Sequence, residues 1–342
     1  MRKINGVPVE AHTDLSSLTG GEVLKWDSTN TLMAWEDQDS TGFVPAPAYQ
    51  GTNYGYCAGG YPHDSPPATN AIDKWSLSSD ANATDVGNLT VTRQQACGAS
   101  SSTYGYACGG ITSGVNWFDT IDKFSFSSDG DAADVGNLTA VRRGCAGASS
   151  ETHGYTAAGQ TSGDASVNII DKFTFSSDAN ATDVGDATVS RQEVTGCNST
   201  TYGYAAGGNS TSNVIDKYSL SSDANATDVG DLTVGRSYGA GSSSSDYGYC
   251  SGGTDSTSFA SEIDKFSFSS DGNATDVGDL IRDRGTIGGG VSSSTHGYTA
   301  GGKISGSVSV TDIDKHSFTT DGNSTDVGDL NLYRYGTSGQ QY

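Results

Sequence analysis

The sequence predicts an all-β propeller of six four-stranded antiparallel blades, and three observations carry that prediction. A block ending Ile-Asp-Lys recurs at Ile72, Ile121, Ile170, Ile215, Ile263 and Ile313, with spacings of 49, 49, 45, 48 and 50 residues. Repeats of this length mark a radial array in which no unit is stable alone. The composition, with 47 Gly, 17 Tyr and only 2 Met in 342 residues, suits short strands and tight turns far better than amphipathic helices. Finally, an Arg followed five residues later by Gly recurs as Arg93/Gly98, Arg142/Gly147, Arg191/Gly196, Arg236/Gly241 and Arg284/Gly289, and once more as Arg334/Gly339 at the very end.

Taken in chain order, residues 1–40 stand outside the repeat. Glu22 to Trp26 and Thr31 to Trp35 flank Asp27-Ser28-Thr29-Asn30, the pattern of a β-hairpin, and residues 41–53 read as a linker. The propeller spans 54–342. In its second repeat the four strands fall at Arg93 to Ser100, Tyr104 to Gly109, Thr120 to Ser127 and Ala133 to Leu138. The third alternates with period two, Ile121, Lys123 and Ser125 on one face and Asp122, Phe124 and Phe126 on the other, as a strand between two packed sheets requires. Residues 334–342 read as an inner strand with no blade of their own. The first blade, which begins near Tyr54, has no Arg-led strand, so the C-terminal strand is expected to complete it and close the ring.

Twelve of the eighteen basic residues are the six Ile-Asp-Lys lysines and the arginines 93, 142, 191, 236, 284 and 334, so positive charge is periodic and structural. The arginines are expected to reach carboxylates or carbonyls of an adjacent blade, a bidentate task suited to guanidinium. The segment Ser269 to Asp279, copied in every blade, carries the Asp, Asn and Gly of a hairpin turn between third and fourth strands. Its carboxylates offer weak calcium binding as the alternative, although the spacing and closing Glu of an EF-hand are missing. No cofactor is expected. Asn82, Asn180, Asn225, Asn273 and Asn323 stand in Asn-x-Ser/Thr triplets and are read first as turn residues. The six cysteines fall at small-residue positions of the repeat without CxxC spacing, which points to free buried thiols.

A formal charge of −22 argues against nucleic acid, since a duplex binder needs a basic footprint. No apolar run is long enough to span a bilayer and no signal-peptide core is visible at the start. An active site would break the repeat, and the histidines do not converge: His153 and His296 replace the first Tyr of Tyr-Gly-Tyr, and His316 replaces a strand aromatic. The expectation is therefore a binding or structural module and not an enzyme. The connection between second and third strands differs most from blade to blade and carries Tyr61, His63, Trp117, Phe118 and Phe259, aromatic or ring side chains on polar loops that are candidates for contact with a glycan or protein.

The Arg before the innermost strand, the Gly-Gly after the second and the aromatic third strand resemble the kelch family over residues 54 to 342. The fourth strand departs from it, with Asp-Val-Gly where a Trp is usual. The run Asp14 to Asp27, with Trp26 and then Trp35, resembles N-terminal segments of tail-fibre and other virion proteins of tailed bacteriophages. The Tyr-Gly-Tyr and Asp-Val-Gly-Asp repeats resemble proteins of marine phages. The resemblance implies a virion appendage, a tail fibre or receptor-binding protein. It would attach to other virion proteins through residues 1–50, with Trp26 and Trp35 as attachment residues, and present the propeller to a host glycan or protein, as a homotrimer by analogy with fibres. The alternative is a purely structural virion part, a capsid decoration or tail adaptor.

Overall fold

Each blade is built from the same local decisions. The computed structural model describes residues 51–341 apart from 63–67, 113–115 and 287. Of the first fifty residues it describes only the backbone of four short strands. The chain divides into two units, Met1–Pro45 and Ala46–Tyr342. In the first, Glu22–Asp27 pairs antiparallel with Leu32–Asp37, Trp26 opposite Met33 and Leu24 opposite Trp35, and Lys3–Ile4 pairs with Val7–Pro8.

The second unit is all-β, six four-stranded antiparallel sheets arranged in a ring: a six-bladed β-propeller. Blade two runs Cys97–Ser100, Tyr104–Cys108, Thr120–Ser125 and Ala133–Asn137 from centre to rim. The other blades follow its order, and no α-helix occurs among the described residues. In blade one the innermost strand is Ser338–Gln341, paired antiparallel with Tyr54–Ala58 in the register Ser338↔Ala58 and Gln341↔Gly55. The inner strands are shorter than the sequence suggests. They begin four residues after the arginine, five in blade six, because Arg93 and its counterparts lie in the link between blades.

The period-two pattern of the third strand becomes a sandwich of neighbours. Ile121 packs with Tyr106 toward Phe173 of blade three, while Phe124 and Phe126 pack on Tyr56 and Ile72 of blade one. Each repeat Ile is wholly or almost wholly buried, worth roughly 1.5–3 kcal/mol apiece. The middle residue of Tyr-Gly-Tyr lies opposite the strand-three aromatic. A Cβ at Gly105 would stand 2.4 Å from the Phe124 ring, so glycine is what lets the ring lie flat across the sheet.

Blades are fastened to one another twice. In the link between blades, the Arg93 carbonyl accepts a hydrogen bond from Gly60, in the Gly-Gly of blade one. Its side chain is fully buried against blade two, paired with Asp122 at 2.9 Å and donating to the Ala107 and Thr120 carbonyls. The arrangement recurs as Arg142–Asp171, Arg191–Asp216, Arg236–Asp264, Arg284–Asp314 and Arg334–Asp73, at 2.8 to 3.0 Å. The sixth member reaches from the C-terminal segment to blade one. Nearer the opposite face, each repeat lysine pairs with an Asp in the turn of the next blade, Lys74–Asp129 through Lys315–Asp80, at 2.5 to 2.7 Å. These outer pairs are solvent-exposed at the carboxylate and contribute little individually.

Around the axis the inner strands approach backbone to backbone. A Cβ on Gly196 would lie 2.3 Å from the Gly147 carbonyl oxygen, and equivalent encounters run through Gly98, Gly147, Gly241, Gly290 and Gly339. The ring glycine of blade six is Gly290 and not Gly289. One extra residue between Arg284 and the inner strand shifts the spacing, taken up around Gly288, whose φ is +81°.

The carboxylates that receive the arginines are also held by the preceding link. Thr90 donates both its amide and its hydroxyl to Asp122, the hydroxyl at 2.7 Å, and Thr139, Thr188 and Thr233 repeat this. At Asp73 the position is Asn331, which donates only its amide. There Asp73 Oδ1 is buried without a hydrogen bond, and burial pushes this carboxyl above its ordinary range.

Two outcomes follow. Gly196→Ala is expected to lower stability by about 1–3 kcal/mol or more through overpacking, whereas Gly272→Ala, where a Cβ meets nothing within 4 Å, should stay within about 0.5 kcal/mol of the parent in the same thermal melts. Asn331→Thr is expected to raise the melting temperature, by about 1 kcal/mol of added stability, by supplying the missing hydroxyl to Asp73; an unchanged or lower melting point would count against that account.

Candidate functional site

The two faces of the propeller differ in how far they repeat. One face carries the turns between first and second and between third and fourth strands. Here the Asn and Asp side chains do more than close their own turns. Asn82, Asn180, Asn225, Asn273 and Asn323 each accept a backbone N–H from the last strand of the preceding blade, at 3.0 to 3.1 Å. Asp271 is the partner of Lys217. The expected local Asx contact survives in the fourth strand, where the Gly278 amide donates to Asp276. These oxygens are thus engaged between blades. Among the described residues no three His, Cys, Asp or Glu side chains group as a metal site would.

The same face carries the first residue of each Tyr-Gly-Tyr, with a repeat lysine over the ring of Tyr54, Tyr104, Tyr202 and Tyr247. His153 and His296 take this place in blades three and six, each with Nδ1 2.8 Å from a neighbouring threonine hydroxyl. Beside His153 lies a cavity of about 380 Å³ that includes Tyr155 and Leu220. Leu220 stands where blades two, three, five and six have Phe126, Phe175, Phe268 and Phe318, and the Tyr155 hydroxyl donates to its carbonyl at 2.7 Å.

The other face gathers what does not repeat. The first residue after each Gly-Gly bonds with the inter-blade link, as in Tyr61 with Tyr335, Ile111 with Gln94, Thr254 with Ser237 and Lys303 with Gly285, so the variable loops and the links share this face with the mouth of the central channel. Two residues after each buried arginine the backbone turns left-handed, at Gln95, Gly144, Glu193, Tyr238, Thr286 and Gly336, with φ between 53° and 64°. Their main chains form a belt around the axis: Gln95 N–H to Gly336, Gly144 to Gln95, Glu193 to Gly144, Tyr238 to Glu193 and Gly336 to Thr286. The backbone repeats there while the side chains do not.

Three of those side chains, together with Arg143, form one network at the mouth of the channel. The Tyr238 hydroxyl donates to Glu193, Gln95 Nε2 donates to the Tyr238 oxygen at 3.1 Å, and Arg143 donates to Gln95 Oε1. Burial raises the proton affinity of Glu193, opposed by the Tyr238 hydrogen bond and the Arg143 charge. The cavity below this plug is about 100 Å³, less than the roughly 300 Å³ at which small-molecule pockets begin. The channel thus lacks room for a small-molecule pocket. Sequence reading passed over Gln95, Arg143, Glu193 and Tyr238; the available signal was that the position two residues after the repeat arginine, fixed in spacing, varies between blades as Gln95, Gly144, Glu193, Tyr238, Thr286 and Gly336.

The aromatic candidates separate on this face. Trp117 is half-buried with Arg143 5.3 Å from its ring centre, which links it to the plug. Phe118 donates its backbone N–H to Gly110 of its own blade and accepts that of Arg142 in the following link. Tyr61 packs against Tyr335 at 5.5 Å, and Lys303 lies over the latter ring. Phe259 borders a groove of about 520 Å³ between the loops of blades five and six, together with Thr254, Asp255, Asp283, Ser305 and Ser307. The Asp255 carboxylate accepts the amides of Thr257 and Ser258 at 2.6 Å each, which holds its pKa below the ordinary value. His63 lies outside the described residues, as do the side chains of Trp26 and Trp35. No protein-family model matches the chain, and no curated protein matches it. Fold and surface define a β-propeller with one repetitive face and one individual face.

His316 is the exception among the strand aromatics. It is fully enclosed beside Tyr249 and Phe318, its Nδ1 has no hydrogen-bond partner, and burial drives its pKa down to about 3. Below about pH 6.5 the unfolded chain takes up a proton that the folded chain refuses. Stability is then lost as pH falls from about 6.5 toward 3, by up to about 1.4 kcal/mol per pH unit from this group. His316→Phe, the residue of blades two, three and five, is expected to flatten that part of the stability–pH curve relative to the parent in denaturant titrations; identical slopes would refute the assignment.

Proposed function

We propose that this chain is a virion appendage of a tailed bacteriophage, a tail fibre or receptor-binding protein, which attaches through residues 1–50 and presents its loop face to a glycan on the host surface. The supporting observation is the segregation of side chains. Most residues that break the six-fold repeat lie on the face of the variable loops, while the turn face, apart from His153, His296 and Leu220, is bound into the ring by repeated ion pairs and amide contacts. The first described residue of the propeller, Gly51, bridges to Ser293 in a first-to-second-strand turn, on the repetitive face.

The groove between blades five and six has the chemistry of a sugar site. Phe259 supplies an apolar edge, Asp255 and Asp283 supply acceptors, and the serine and threonine hydroxyls supply both donors and acceptors. The resemblance of Asp14 to Asp27 to virion N-termini supplies the phage context. Fluorescently labelled full-length chain is expected to bind a susceptible bacterial strain or its surface polysaccharide. Phe259→Ala is expected to weaken that binding tenfold or more, about 1.4 kcal/mol, and Trp117→Ala to weaken it less. If phage lacking the chain adsorb normally and only lose particle integrity, the purely structural reading replaces this one.

A further inference from the structure

Two cysteines of neighbouring blades meet across a blade boundary. Cys97 opens the inner strand of blade two, and Cys145 immediately precedes the inner strand of blade three. Their sulfurs are 2.9 Å apart across the blade boundary, with Cys145 donating to Cys97, and both thiols are unbonded and buried. Two non-bonded sulfurs normally stand further apart, and closing to a bond of about 2.05 Å requires a movement of only about 0.9 Å. Both cysteines also border the axial cavity of about 100 Å³, space on the scale of a small reagent such as peroxide and not of a larger thiol reagent. Cys197, by contrast, donates to the Tyr249 carbonyl.

We propose that Cys97 and Cys145 form an oxidisable pair, converted by hydrogen peroxide into a disulfide that staples blade two to blade three. One thiolate attacks the peroxide, its O–O bond breaks, and a sulfenic acid and hydroxide result. The second thiol then displaces the sulfenic oxygen as water, forming the S–S bond. In sum two thiols and one peroxide give one disulfide and two waters, the sulfurs losing two electrons and the peroxide gaining them. The neighbouring thiols and burial hold both cysteines well above the ordinary thiol range, Cys97 first through Cys108 and Cys145 first through Cys97. The thiolate is therefore scarce, and the reaction is slow at neutral pH and faster in alkali. Cys108 is the competitor, because it sits directly opposite Cys97 in the same blade.

The full-length native chain would be treated with hydrogen peroxide, quenched in acid, unfolded, alkylated and mapped by mass spectrometry without reduction. The expected result is loss of two alkylatable thiols of six and one cross-linked peptide joining Cys97 to Cys145, restored to two alkylated peptides by dithiothreitol. Cys145→Ser should abolish that cross-link and leave five alkylatable thiols. Retention of all six thiols in the parent, or a cross-link from Cys97 to Cys108 instead, would overturn the proposal, and the parent map decides even if the variant does not fold.

Discussion

The buried arginine in each inter-blade link is the interaction on which the rest of the ring depends. Its carbonyl is tied to the Gly-Gly of one blade and its guanidinium to the aspartate and carbonyls of the next, so one residue sets both the distance and the rotation between neighbouring sheets. The pairing is not a simple gain in stability. All six arginines leave Nε buried without a hydrogen-bond partner, and such orphaned donors cost about 1–3 kcal/mol each. A buried ion pair commonly does little better than an apolar pair of the same volume. What the arginine supplies is registry: a guanidinium in this position tolerates only an arrangement that delivers a carboxylate and carbonyls to it, which excludes the alternative stackings that apolar contacts between sheets would allow.

The tight centre follows from that registry. With the links fixed, the inner strands are forced together until backbone meets backbone, and only glycine fits at the closest point. The same geometry leaves a channel too narrow for a sugar and a belt of left-handed residues at its mouth. The belt is held by main-chain hydrogen bonds, so its side chains are free to differ. Gln95, Glu193 and Tyr238 occupy three such positions and join Arg143 in one network. The loop face can thus diversify around a frame that does not change.

Much of the fold was legible because the repeat writes each structural role six times. In Ile-Asp-Lys the Ile is core, the Asp receives the arginine and the Lys reaches the next turn. The strand pattern, the arginines and the C-terminal strand paired with Tyr54–Ala58 all have visible sequence correlates. What was not legible lay in the neighbouring blade. The role of Asn273 is invisible in its own turn because its partner is Asp231, and the ring glycine of blade six was misplaced by one residue because an insertion shifts the spacing without disturbing the approach. The candidate surface was harder still. Trp117 and Phe118 are adjacent in sequence and alike in composition, yet one lies beside Arg143 and the other is bonded through its backbone to its own blade and the following link.

The sequence by itself determined the number of blades, the order of their strands and the six structural arginines, though not the aspartates that receive them, because period and polarity are local properties repeated along the chain. Only the tertiary structure decided which side chains meet across blades: the Glu193–Tyr238–Gln95–Arg143 plug, the Phe259 groove and the Cys97–Cys145 contact. Each of these joins residues of different repeats, and their distances are set by the curvature of the ring, a quantity that no single repeat contains.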